Sequence, residues 1–382
     1  MKTLFLFLFT NFSLAQVNLT VGGGCDGCEL MFIDMPEKIS STSYSPAWNS
    51  VGQKLLITGR ILKTDGTSPA ANVLVYYWQT DSKGYYSVND SMNKKTKKHG
   101  YIRGWVKSDS QGNYKIFTIK PKSYPNRDLP AHIHLSIKEP EISEEYYVDK
   151  LLFDYDPLLT TKKRKKLENR GGSGILRTLI SDNMLVAEHN IILGLNIPNY
   201  PIGEPHLNSG QAIGEDFHSI TPYHAWGPDI GTTTCPVCRY GRYLGIMYFV
   251  SNIKSQTVKN WLLFLENKSQ IYGQHLKVYL IYGNEENYSF EQRNNELATL
   301  GQELGLKRLA LTFVSSFKDK QSDIYKTRIN PNLKNTFILY KNRNIIAKFI
   351  NLDANDKNFM KLTTVLNDNQ NDYFNLPIDT SR

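Results

Sequence analysis

The chain has 382 residues, 40% of them apolar and 21% charged, with a formal net charge of +9. That composition excludes an extended disordered chain, and the length favours two cores over one. The positive surplus is not organised for nucleic acid: its densest run, Lys162-Lys163-Arg164-Lys165-Lys166, carries no interleaved aromatic residue and reads as a solvated loop.

The chain opens on Met1-Lys2, an apolar run over 4–9 and then Ser13-Leu14-Ala15-Gln16. One positive charge, a short apolar stretch and small residues before a cut after Ala15 are the parts of a secretory signal peptide. Residues 1–15 are therefore expected to be removed and the remainder to be soluble, secreted or periplasmic. The apolar run is too short to span a bilayer, and no later segment approaches about 20 apolar residues. No Cys follows the cut directly, which argues against a lipid anchor.

From 54 to 137, short alternating runs are separated by turn residues. Strands are predicted at 55–62, 73–78 and 114–119, with turns at Thr64-Asp65-Gly66-Thr67, Asp81-Ser82-Lys83-Gly84 and Asp109-Ser110-Gln111-Gly112. Ala131-His132-Ile133-His134-Leu135-Ser136-Ile137 alternates in the same way, and a closing strand is predicted at 189–194. This spacing argues an all-β sandwich over 16–200. Pro, Gly and Asn crowd 196–214, and a linker is placed at 201–211. The pattern then changes to a buried strand at 245–250, a helix at 257–267, a strand at 276–282, a helix at 290–304 and a strand at 308–314. A hairpin pairing 336–340 with 345–350 and a helix at 356–366 complete an α/β layer pattern over 212–382, so the chain reads as multidomain.

The four cysteines form two C-x-x-C pairs, Cys25-Asp26-Gly27-Cys28 and Cys235-Pro236-Val237-Cys238. Outside the cytoplasm paired thiols oxidise, and a Cα separation of about 5.5 Å permits a local disulfide in each pair. A four-thiolate zinc site, a cross-link between the pairs and a redox role for Cys235 and Cys238 stay open at this level.

Tyr86, Tyr124, His132 and His134 are an unusual kit. Phenolate oxygen is a hard anionic donor suited to Fe(III), and imidazole is a borderline donor that iron also accepts. Side chains two apart on a strand share a face, so both imidazoles can reach one metal. Taken singly, each of these residues is more often packing than ligand in a chain with 23 tyrosines. Trp78, Tyr76, Tyr77 and Tyr114 are read as core aromatics. His99, His189, His206, His218, His224 and His275 lack metal spacing and are read as surface or core residues.

The blocks Val75-Tyr76-Tyr77-Trp78-Gln79, Gly84-Tyr85-Tyr86, Thr118-Ile119-Lys120-Pro121, Tyr124-Pro125 and Pro130-Ala131-His132-Ile133-His134 occur in this order. Over 45–200 the chain thereby resembles the intradiol ring-cleavage dioxygenases, the protocatechuate 3,4-dioxygenase and catechol 1,2-dioxygenase superfamily. The resemblance implies a mononuclear non-haem Fe(III) held by Tyr86, Tyr124, His132 and His134. Tyr124 would be the axial ligand that leaves the metal when a catecholate binds, which gives it a catalytic part, and Tyr85 would face the other side of a strand. The implied substrates are a small aromatic diol and O2, the product is a muconate-type dicarboxylate, and members of the family often associate as homo-oligomers. Two departures are present. Leu129 stands where the family carries Arg, so the substrate-binding residues are not assigned and Arg127, two residues away, is offered as a substitute. The segment from Tyr124 to His132 is also shorter than in well-known members.

The C-terminal pattern is similar to a thioredoxin-like fold. It departs from that fold in placing Cys235 and Cys238 before the strand at 245–250, and in carrying Asn335 in place of a proline before the hairpin strand. The leading expectation is intradiol cleavage of a catechol-type ring. The alternatives are an extracytoplasmic thiol-disulfide oxidoreductase and a non-catalytic iron-binding or interaction protein, which Leu129 makes credible.

Overall fold

The computed structural model describes residues 20–25, 27–201 and 208–379. The segment read as a signal peptide, His206 and most of the segment read as a linker lie outside the described residues. Among those described, no helix is long and apolar enough to cross a membrane.

Two six-stranded sheets pack face to face in the first part of the chain. One is built around Lys54–Leu62, which pairs with Asn113–Ile119 on one side and with Met184–Glu188 on the other. The second places Leu74–Gln79 between Arg103–Lys107 and His132–Lys138, and continues through Leu151–Phe153 to Ile175–Leu176. Period-two alternation does the sorting: Leu55, Ile57 and Ile61 meet Val75, Tyr77, Ile133, Leu135 and Ile137 in one buried cluster. The intervening residues of the second sheet, Tyr76, Trp78, His132 and His134, are left on its outer face. The sandwich core therefore buries one side of the histidine strand and presents the other.

The closing strand differs from the expected 189–194. The partner of Lys54–Leu62 is Met184–Glu188, and pairing resumes only at Ile191–Ile192 in the same register. The interruption has a side-chain cause. Asn190 Oδ1 accepts from the Arg60 amide (2.9 Å), standing in for a backbone carbonyl. Position 59 must be glycine, since a Cβ there would lie 1.8 Å from the His189 carbonyl oxygen.

His189 itself turns into the core. Tyr114 Oη donates to the His189 carbonyl (2.8 Å) and accepts from Nδ1–H (2.9 Å). Burial depresses the imidazole pKa from 6.5 to about 4. The folded chain thus binds fewer protons here than the unfolded chain between those values. This contribution is fully present above pH 6.5 and is lost as pH falls toward 4, up to about 3 kcal/mol. Urea-unfolding midpoints should therefore fall less steeply from pH 7 to 4.5 in His189→Gln than in the parent; equal pH slopes would contradict this assignment.

The second part of the chain is a sheet flanked by helices, ordered Tyr223–Trp226, Ala310–Val314, Leu276–Gly283, Leu244–Val250, Thr336–Lys341, Asn344–Ile350. Its three middle strands from Ala310–Val314 to Leu244–Val250 are parallel, and the hairpin is antiparallel. Asn342 and Arg343 turn that hairpin with positive φ at both positions. The helices Gln256–Tyr272, Phe290–Glu303 and Asp356–Asn369 start at Ser255, Ser289 and Asn355, whose side chains each accept a backbone N–H of the first turn. Trp261, Leu262, Leu265 and Leu297 pack these helices on the sheet. The edge strand Tyr223–Trp226 was not expected from the sequence, being four residues long.

Both cysteine pairs are local disulfides, with Cα separations of 5.5 Å in Cys25–Cys28 and 5.3 Å in Cys235–Cys238. This corrects the zinc and cross-linked readings, because each sulfur is already bonded to its near neighbour. Cys235 caps the five-residue helix Pro236–Tyr240, which comes before the parallel strand Leu244–Val250. The basic run is also corrected. Thr160 caps a helical turn at Thr161–Arg164, anchored by Arg164 on Asp154 and Lys163 on Asp128. Of the stretch read as a linker, Ser209 and Gln211 are buried and Ser209 Oγ lies 2.7 Å from Thr336 Oγ1.

Candidate metal centre

The four side chains converge on the outer face of the second sheet. His132 and His134 come from the same side of the strand His132–Lys138, with ring centroids 4.7 Å apart. The backbone entering that strand is held by Asp156, whose Oδ2 accepts from the Ala131 amide (2.7 Å). His132 Nδ1–H donates to the Pro130 carbonyl (2.7 Å), which fixes the ring and leaves Nε2 with its lone pair facing outward. Trp78 pairs with His134 across the sheet and stacks on its ring at 4.7 Å and 4°.

The tyrosines arrive on two loops that are laced together. Asp81 accepts from the amides of Lys83 (2.8 Å) and Tyr85 (3.1 Å), forming the turn that delivers Tyr86. Thr80 Oγ1 donates to the Lys122 carbonyl (2.7 Å), tying this turn to the loop that carries Tyr124. Gly84, at φ +90°, lies so close to that loop that a Cβ would stand 2.2 Å from the Ser123 carbonyl oxygen. Tyr86 Oη is 2.9 Å from Tyr124 Oη, which is 3.2 Å from His132 Nε2. The expectation that Tyr85 and Tyr86 lie on a strand is corrected: both sit in this turn, and Tyr85 points to solvent.

Burial, with the neighbouring Tyr124 oxygen, pushes the Tyr86 phenol well above its ordinary value. Burial holds both imidazoles below theirs, most strongly His134. The pocket thus contains imidazoles ready to donate lone pairs and, in Tyr86, a phenol that needs a strong cation to ionise. That donor set fits a hard trivalent metal ion, which would supply the missing charge. Among the described residues no group of three or more His, Cys, Asp or Glu gathers as an alternative metal site.

A cleft of about 820 Å³ opens on the four residues, large enough for a one-ring ligand. Leu129 lines it and is 39% exposed. Arg127 does not line it: its guanidinium lies 5.7 Å from the centroid of the Tyr124 ring. Sequence reading missed two members of the wall. His99 stacks on the far side of Trp78 at 4.2 Å and 9°, with Nδ1 2.9 Å from Tyr76 Oη. Cys25 brings the N-terminal segment to the rim, and Cys28 Sγ lies 3.0 Å from Ser136 Oγ on the histidine strand. His99 precedes a glycine outside any regular strand, so no spacing signal ties it to Trp78.

The fold and site describe a β-sandwich whose outer face carries two tyrosines and two histidines. Residues 37–170 match the family model described as Dioxygenase. The segment is 29% identical over 119 residues to the protocatechuate 3,4-dioxygenase beta chain of Burkholderia cepacia, covering 28% of this chain and 50% of that one. It is 32% identical over 99 residues to the hydroxyquinol 1,2-dioxygenase of Rhizobium sp. (strain MTP-10005), covering 22% and 32%. A solved dioxygenase domain from Streptomyces sp. SirexAA-E, part of a fusion with a carbohydrate-binding protein, aligns at 19% identity and a TM-score of 0.32, covering 42% of this chain and 90% of that one. The chain spans about half or less of the length of the curated relatives it matches. This part of the chain is similar to the intradiol dioxygenases.

Proposed function

We propose that Tyr86, Tyr124, His132 and His134 hold one ferric ion and that the protein cleaves a catechol-type ring with O2. Both oxygen atoms enter the product, and the carbon–carbon bond between the two hydroxylated carbons breaks to give a muconate-type dicarboxylate. The observation that carries this reading is the chain of donor atoms from Tyr86 Oη through Tyr124 Oη (2.9 Å) to His132 Nε2 (3.2 Å), beside His134. When bound, the ferric ion supplies Lewis acidity that opens a chelated catecholate to O2. The residues of the chain do the rest. Tyr86, packed against Met31, Tyr76 and Trp78, stays a ligand. Tyr124, placed between Tyr86 and His132, takes one substrate hydroxyl proton on its Oη, and the other proton goes to solvent. Trp78 keeps the His134 ring in plane, and Leu129 and Leu152 shield the ring of the substrate from water.

Protein loaded with iron should show a visible tyrosinate-to-Fe(III) band and consume one O2 per catechol, with both oxygen atoms found in the dicarboxylate. Colourless protein that cannot be reconstituted would overturn the reading, and coloured protein without uptake would favour the non-catalytic alternative.

We also infer a thioredoxin-like fold for the C-terminal unit, supported by its parallel strands, antiparallel hairpin and flanking helices. Its disulfide lies before the first parallel strand, which gives Cys235 and Cys238 a structural part. The same preparations should show no disulfide reductase activity; reductase activity abolished by Cys235→Ser would reverse that assignment.

A further inference from the structure

The walls of the cleft are strongly basic. Lys98, Lys150, Lys163 and Lys166 line it, and no arginine does. Lys163 is engaged with Asp128 at 3.0 Å. The two acids on the wall are also engaged: Asp149 accepts from the Asn169 amide (2.8 Å), and Glu168 pairs with Arg170. Lys150 has no hydrogen-bond or ion-pair partner for its ammonium among the described residues. It stands two residues before Leu152, the cross-strand partner of His132. Alternation therefore puts its side chain on the face that carries both histidines. Of the four lysines it is the one whose charge acts on both imidazoles.

We propose that Lys150 is the anion-binding side chain of this cleft, taking the negative oxygen of an aromatic substrate held beside His132 and His134. The proposal rests on the function proposed above. Two sources of that oxygen share the chemistry, an ionised ring hydroxyl and a ring carboxylate. The ammonium is solvated in the open cleft, so keeping it there costs little. A flat anion laid against the histidine face replaces its water with a charge-assisted hydrogen bond.

Iron-loaded parent, Lys150→Met and Lys150→Arg are titrated with benzoate and with its neutral counterpart benzamide. Lys150→Met should weaken benzoate roughly tenfold and leave benzamide unmoved, while Lys150→Arg restores most of the benzoate affinity. Turnover separates the sources: an equal loss on catechol and 3,4-dihydroxybenzoate assigns the ring oxygen, and a loss confined to the latter assigns the carboxylate. Unchanged benzoate affinity in Lys150→Met overturns the proposal although the iron band is intact. A parent that takes up no iron overturns the proposed function instead. Retention of the visible band in both variants shows that they are folded and loaded.

Discussion

Tyr86→Phe is expected to lose at least about 100-fold in ferric affinity and with it the visible band and turnover. The size follows from charge. Each phenolate brings a full negative charge to a trivalent ion in a half-buried pocket, and even outer partners of metal ligands are worth 10- to 100-fold. The substitution keeps the ring and removes one oxygen whose partner is Tyr124 Oη, so the fold should lose only about 1 kcal/mol. Tyr124→Phe should separate from it. In the proposed function Tyr124 also takes a substrate proton. Its loss is expected to lower kcat more than iron affinity and to shift the band rather than bleach it. Competition with an iron chelator, read beside O2 uptake, distinguishes the two. Parent-like iron affinity and colour in both variants would remove the tyrosines from the site.

The parts of the fold that were legible in the sequence are those where burial imposes a period. Residues 55–62, 73–78 and 114–119 alternate because one side of each strand meets the sandwich core. His132 and His134 were readable for the same reason, being two apart on a strand whose other face is filled by Ile133, Leu135 and Ile137. Where side chains replace backbone pairing, the pattern fails: Asn190 bonds Arg60, and the closing strand ends at Glu188 rather than running over 189–194. The Tyr86 turn is held by Asp81 and Gly84, which carry no periodic signal beyond the turn itself. Lys150 and His99 belong to the cleft through tertiary placement alone. A three-residue strand, Leu151–Phe153, sets the face of one, and stacking on Trp78 sets the place of the other.

The largest stability effect is expected at Arg177, which joins the sandwich to the C-terminal sheet. Its side chain is 11% exposed, with Nη1 3.1 Å from Asp216 Oδ1 and 3.2 Å from the Asn342 carbonyl, and Nε 3.5 Å from Asp154 Oδ2. Asp154 directly follows the strand beside the histidine strand, so one guanidinium ties both halves of the chain to the support of the candidate metal centre. Removing one partner of a buried pair costs more than the pair itself contributes, because the remaining charges stay desolvated. Asp154 keeps Arg164, and Asp216 is 26% exposed, so the cost falls toward the lower end of that class. Arg177→Met should thus destabilise by about 2–3 kcal/mol, and urea unfolding followed by two probes should split into two transitions as the halves uncouple. Adding Asp216→Asn should recover part of the loss, since it removes the orphaned carboxylate. A single transition within about 0.5 kcal/mol of the parent would mean that the halves are held together elsewhere, by contacts such as Lys341 on Glu188 and Thr178 on Asp379.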